Sequence, residues 1–262
     1  MNMLNSIGEN GDFYMNINDL DSYLNSLLQP ERFSDYCPNG LQVEGKREIN
    51  TIVTGVTASY ALLEAALEAN ADAVLVHHGY FWRGEALPIT GIKKRRIQFL
   101  LQHNISLFAY HLPLDMHPEL GNNVMLAKQL GLTITGKTGE KEMLLLAELN
   151  GEQSLQHFVN LIETKLSRKP QVIGDLNSLV KTVALCTGAA QGYIEQALAA
   201  NVDVYISGEI SEQTVHVARE SGMSYISAGH HATERYGIRE LGKHLAQKFG
   251  LQHQFIDCDN PV

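Results

Sequence analysis

One pattern is written twice in this chain. Residues 64–72 read EAALEANAD and residues 195–203 read EQALAANVD, with six identities in nine positions at an offset of 131. Each copy follows an apolar strand, Ile52 to Val56 or Val183 to Cys186, and precedes another, Ala73 to Val76 or Val204 to Ile206. A later strand pair also corresponds, ISLFAYH at 105–111 and MSYISAGH at 223–230. Strands alternating with helices of this length predict βαβ units and a mostly parallel sheet. Ala-rich helices match by chance, but the agreement of the flanking strands favours two α/β units of like topology, duplicated or converged.

The rest of the chain fits around these units. An organised pattern begins at Met15, and residues 1–14, polar and without period, are expected to form a loose arm. Asn18 can cap a helix with Leu20, Leu24 and Leu27 on one face, and Pro30 lies beyond its end. Asp35 to Gly45 reads as a Pro-Asn-Gly turn and a short strand. Helices are expected at Ile92 to His103, Asn122 to Leu130, Ser154 to Leu166 and Thr233 to Phe249, with a strand at Met143 to Leu149. The expected units are 15–132 and 133–262, with the C-terminal helix free to pack back on the first.

Composition limits the function classes. The chain of 262 residues is 44% hydrophobic and 19% charged, enough apolar matter for a core. Its formal net charge of −9 disfavours a general nucleic-acid or anionic-membrane binder. The longest apolar stretches fall far short of the roughly 18 residues of a membrane span. No Lys or Arg precedes Arg32 and no apolar run follows the start, so no secretory signal is expected. Cys37, Cys186 and Cys258 form no CxxC pair, which fits a reducing cytoplasm.

The chemistry lies at the strand ends, where open α/β sheets collect ligands. His77-His78 end one strand, His111 followed by Asp115 another, Glu209 a third, and His230-His231 followed by Glu234 a fourth. His230 and Glu234 are four apart, a spacing that shares a helical face. Imidazole nitrogen with carboxylate oxygen suits Zn, Mn, Fe or Ni. Three histidines and two carboxylates exceed the needs of one catalytic zinc and fit two ions bridged by a carboxylate and solvent. A lone histidine at a strand end is more often structural, but two His-His pairs, each near a carboxylate, reverse that reading. Glu209, His111 and His231 are equally candidates for orienting a ligand or facing a substrate. His103, His117, His157, His216, His244 and His253 read as surface or packing residues. Tyr80, Phe81 and Trp82 can wall a pocket for a planar ring or serve the core. Lys93–Arg96 reads as a solvated helix face, and the TGAAQG glycines at 188 and 192 match no complete phosphate fingerprint.

The motifs NGLQVEG (39–45), VHHGYFW (76–82), YHLPLDMHPELGNN (110–123), SGEISEQT (207–214) and GHHATERYG (229–237) resemble the YbgI family. Its members carry the name GTP cyclohydrolase 1 type 2 homologue. The resemblance implies two interlinked α/β domains, a dinuclear metal centre in the cleft between them, and a ring-shaped homohexamer. Carried over position by position, the ligands would be His77, His78, Asp115, His230 and Glu234. Glu234 would bridge, His77 with His230 would complete one ion, and His78 with Asp115 the other. The expected function is a hydrolase dependent on two divalent transition metals per subunit, with His111 donating a proton to the leaving atom and a small molecule, a nucleotide in the GTP cyclohydrolase form, as substrate. The alternative is a metal-binding assembly or partner-binding protein without turnover. Nucleic-acid processing inside a ring is a third reading, weakened by the acidic balance. Membrane binding is not expected.

Overall fold

The computed structural model describes residues 6, 7 and 13–262. The first stretch runs β1 (Ser6–Ile7), β2 (Phe13–Asn16), α1 (Ile17–Leu28), β3 (Gly40–Val43), β4 (Glu48–Ile49), β5 (Thr51–Thr57), α2 (Tyr60–Glu68), β6 (Ala73–His78), α3 (Gly91–His103), β7 (Ser106–Ala109) and α4 (Leu112–Met116). The second runs α5 (Asn122–Gln129), β8 (Thr133–Thr138), β9 (Leu144–Ser154), α6 (Leu155–Leu166), β10 (Gln171–Ile173), β11 (Leu179–Leu185), α7 (Ile194–Ala199), β12 (Val204–Ser207), α8 (Glu212–Ser221), β13 (Ser224–Ser227) and α9 (His230–Thr233). Then come α10 (Arg235–Phe249) and β14 (Gln252–Phe255).

Two compact α/β units result. The first takes the chain up to Leu120 and again from Gly237 to Asp259; the second takes Gly121–Tyr236 and Asn260–Val262. The sequence expectation places the division one helix later, after Leu132. Val124, Leu126, Ala127 and Leu130 of the α5 region belong to the core around β9 and α6, which is why the division precedes that helix.

In the first unit five strands lie in the order β14-β5-β6-β7-β3, with β3 antiparallel and the others parallel. Period-2 alternation sends Ile52, Ala73, Leu75 and Phe108 to one face. There they meet Leu20 and Leu24 of α1 and Ile238, Leu241 and Leu245 of α10. Val53, Val74, Val76 and Leu107 face the other side, against Leu62, Leu63 and Ala66 of α2 and Ile97 and Leu100 of α3. Both faces are thus covered by helices, as a parallel sheet requires. The second unit has six strands in the order β10-β13-β12-β11-β9-β8, parallel only at β13, β12 and β11. Val183, Leu185, Val204 and Ile206 meet Phe158 and Ile162 of α6 on one face. Ala184, Tyr205 and Tyr225 meet Ile194 of α7 and Ala218 of α8 on the other.

The repeat holds in register, turn and hydrogen bonds. β5 pairs β6 with Ile52 opposite Ala73, and β11 pairs β12 with Val183 opposite Val204, each residue displaced by 131. Asn70 and Asn201 both take a left-handed φ of 54° to turn from helix to strand. Asp72 then accepts from the amides of Asn50 and Thr51 at 2.8 and 2.9 Å. Asp203 accepts from those of Lys181 and Thr182 at 2.9 and 2.7 Å. An acceptor-only carboxylate is what two converging N–H groups require, and this explains why both copies end in Asp.

The arm departs from expectation in part. Ser6–Ile7 pairs antiparallel with residues of β2, while 1–5 and 8–12 lie outside the described residues. No helix among the described residues is long and apolar enough to cross a membrane.

Candidate metal centre

In the first unit the donors come from the carboxyl ends of β6 and β7. His77, wholly buried, is the penultimate residue of β6, with its Nδ1 3.0 Å from the Tyr110 carbonyl oxygen. A carbonyl only accepts, so Nδ1 carries the proton and Nε2 is the donor atom toward a metal. His77 Nε2 lies 3.5 Å from Asp115 Oδ1. His78, its neighbour, meets Thr57 Oγ1 through Nδ1 at 3.1 Å. His111 follows β7. Its amide donates to Asn39 Oδ1 at 2.7 Å, and its Nδ1 is 2.7 Å from Asp35 Oδ1. Asp35 also accepts from the Leu112 amide and the Asn39 side chain, both at 2.9 Å. Burial pushes the Asp35 carboxyl up, but His111, Asn39 and the Tyr36 amide more than offset it and hold it below the usual range. One nitrogen from each of His77, His78 and His111 can be taken within 4.8 Å of the others, as can atoms of Asp35, Cys37 and His111.

The second unit supplies the other candidates. His230 opens α9, with Nδ1 2.7 Å from Glu209 Oε1 and Nε2 3.1 Å from Glu234 Oε2. The helix breaks at Glu234, whose φ of −106° separates α9 from α10, so the helix expected from Thr233 to Phe249 starts at Arg235; the i, i+4 approach survives the break. Burial lowers the His230 imidazole, but the carboxylates of Glu234 and Glu209 reverse this and raise it to about 9. Glu234 is 2% exposed. Gly188, at φ +69°, lies against it: any Cβ there would collide with the Glu234 carboxylate and approach His230 Nε2 to 3.3 Å. The Gly188 amide donates to Thr233 Oγ1 at 3.1 Å, which draws the loop onto the helix start.

The donor chemistry fits transition-metal ions. Four imidazoles have Nδ1 committed to an oxygen (Tyr110, Thr57, Asp35, Glu209), the arrangement that orients Nε2 for coordination. The structure draws His77, His78, His111 and Asp115 together in the first unit, and His230, Glu209 and Glu234 in the second. His231 is tied through its amide to the Val262 carbonyl oxygen. Asp35, Asn39 and Thr57 were not singled out from sequence. Asp35 and Asn39 sit in what reads as a turn, and nothing in a linear sequence points from them to His111, over 70 residues away.

The aromatic run divides by role. Tyr80 is buried and donates to the Ala58 carbonyl, Phe81 packs against the α2–α3 core, and Trp82 lies beside the histidines. Three of the four cations of the 93–96 run lie over rings: Lys93 over Phe81, Arg95 over Tyr60 and Arg96 over Tyr80.

Paired α/β units with imidazole and carboxylate groups at their strand ends define a class of duplicated α/β proteins with metal-site chemistry. Within that class the chain belongs to the Duf34/NIF3 (NGG1p interacting factor 3) family, which it matches over residues 15–261. A Pseudomonas aeruginosa relative named GTP cyclohydrolase 1 type 2 homolog is 52% identical over 249 residues, 94% of this chain and 97% of that protein. A Vibrio cholerae relative of the same name is 52% identical over 256 residues, 95% of this chain and all of that one. Among solved structures, protein ybgI, described as of unknown function, superposes with a TM-score of 0.92 at 48% identity, over 95% of this chain and all of that one.

Proposed function

We propose that the chain is a hydrolase dependent on two divalent transition-metal ions, held by His77, His78, Asp115, His230 and Glu234, with Glu234 as the shared ligand. The observation that carries the reading is the commitment of each histidine's Nδ1 to an oxygen acceptor or hydroxyl, which a merely structural cluster does not need. Such ions, when bound, depress the pKa of bound water and offset developing oxyanion charge. The chain's own residues do the rest. Asp35 holds His111 at Nδ1, so that Nε2 is the atom that delivers a proton to a leaving nitrogen or oxygen. The nucleotide form of the reading follows the relatives' name: hydrolytic opening of the guanine imidazole ring of GTP with release of formate. The proposed assembly is the ring-shaped homohexamer implied by the YbgI resemblance, checked by light scattering.

Elemental analysis of protein from metal-replete growth is expected to give close to two ions per chain by the ligand count. Glu234→Gln is expected to lower both occupancies and Asp115→Asn mainly one; equal loss in the two variants overturns the assigned bridge. Activity is tested by screening nucleotides and phosphoesters with metal-loaded protein against the Glu234 variant. If no substrate separates them, the chain is a metal-binding component without turnover.

A further inference from the structure

The turn after His78 holds a side chain that neither the core nor the metal ligands account for. Trp82 is half-buried, its ring centre 5.0 Å from that of His111 at 83° and 5.9 Å from that of His78. Tyr36, 57% exposed, faces His111 edge-on at 6.5 Å, and the Arg83 guanidinium lies 5.8 Å from the Tyr36 ring centre. Part of each ring is thus open to solvent beside a polar cluster.

The backbone is built to hold this arrangement. Gln42 accepts from the Tyr80 amide at 2.7 Å and donates to the Tyr80 carbonyl at 3.1 Å, clamping the turn at both ends of one residue. Gly79 permits this approach, since a Cβ there would strike both Gln42 and the Ala109 Cβ. Phe81 takes a φ of +65°, a strained conformation for a bulky residue, and the next side chain is thereby set beside the histidines. Trp82 spends its single N–H on the Gly79 carbonyl at 3.2 Å, so what the indole offers a ligand is its π-face. Arg83 binds the 35–36 segment through its amide to the Tyr36 carbonyl (2.7 Å) and through Nη2 to the Asp35 carbonyl (2.8 Å). A guanidinium has five N–H groups, so donors remain for an anion.

We propose that Tyr36, Trp82 and Arg83 form a binding wall for a planar heteroaromatic ring carrying a negative charge, beside the histidine cluster of the first unit. Two aromatic faces select a flat π-system, and the guanidinium selects its anionic substituent; an aliphatic anion gains only the second and a neutral ring only the first. That the ring is a substrate rests on the hydrolase reading, but its binding does not.

Trp82 is the only tryptophan, so fluorescence excited selectively in tryptophan reports on this wall alone. The test titrates the full chain, chelator-treated and metal-loaded in parallel, with adenosine 5′-monophosphate, adenosine and ribose 5-phosphate. Saturable quenching by adenosine 5′-monophosphate is expected in both preparations, with weaker binding of adenosine and of ribose 5-phosphate. Tyr36→Ala and Arg83→Ala, both at exposed positions, are expected to weaken it about tenfold each, toward the lower end of what one base–aromatic stack is worth. For Trp82→Leu, which loses the fluorophore, calorimetry is expected to show a similar loss. Ribose 5-phosphate binding as tightly as the nucleotide, or unchanged affinity in the Trp82 and Tyr36 variants, overturns the wall. Ring binding without turnover of any substrate refutes the hydrolase reading and leaves the wall standing; turnover without ring binding does the reverse.

Discussion

The duplicated aspartates allow a matched experiment, because one hydrogen-bond motif occurs at two burials. Asp72 is 7% exposed and accepts from two backbone amides, with Lys46 as a third, more exposed partner. Asp203 accepts from two amides and the Thr182 hydroxyl, but is itself exposed. Truncating Asp72 to Ala strands two half-buried N–H groups at about 1–2 kcal/mol each, while loss of the partly exposed Lys46 pair adds at most about 1 kcal/mol. Asp72→Ala is therefore expected to cost about 3 kcal/mol. In Asp203→Ala water reaches the same donors, and the expected cost is about 1 kcal/mol. Urea unfolding followed by Trp82 fluorescence and by far-UV circular dichroism measures both; two probes are needed because a chain of two units need not unfold in one step. Acid adds a second check. Burial raises the Asp203 carboxyl, but the Thr182 amide and hydroxyl and the Lys181 amide more than offset it, so its pKa lies below the usual range. A carboxyl depressed in the folded state contributes stability above its unfolded pKa of about 3.9, and that contribution is lost as pH falls through the lower folded value. Wild type and Asp203→Ala should differ at neutral pH and converge in acid. Equal or greater loss in Asp203→Ala than in Asp72→Ala would refute the argument that burial decides the cost.

Two further outcomes concern the metal centre. Gly188→Ala puts a methyl group against the Glu234 carboxylate at a left-handed φ, and should reduce metal content in elemental analysis more than it lowers the urea midpoint. Glu209→Ala and Thr57→Val remove the oxygens that orient His230 and His78; each is expected to weaken metal affinity about 10–100-fold in competition with a chromogenic chelator. Unchanged affinity in both would show that these oxygens do not set the histidine orientations.

What the sequence made legible follows from burial. β5, β6, β7, β11, β12 and β13 read clearly because both their faces are covered, giving continuous apolar runs. The edge strands β8, β10 and β14 were not read as strands: Thr133–Thr138, Gln171–Ile173 and Gln252–Phe255 bury no residue fully and show no apolar alternation. β9 runs on from the expected Leu149 to Ser154 because its exposed far end pairs with β11, a long-range partner that local pattern cannot announce. At the candidate site the histidines and acids stood out by clustering at strand ends. Thr57 and Tyr110 did not, since a hydroxyl or a carbonyl gains its role only from what the fold sets beside it.

The repeat also explains how two copies of one scaffold came to differ in chemistry. His78 and Glu209 stand 131 residues apart, as do the strand partners that precede them, so they occupy one position of the βαβ unit. In the first unit that position holds an imidazole, oriented by Thr57 from the adjacent strand. In the second it holds a carboxylate that orients an imidazole, His230, from the following loop. His78 closes β6 while Glu209 lies two residues beyond β12, and the residue type at this position decides whether it offers an imidazole itself or positions the one that does. The repeated unit thus supplies one geometry twice, while the residue type at one position separates an imidazole-rich half from a half pairing one histidine with two carboxylates.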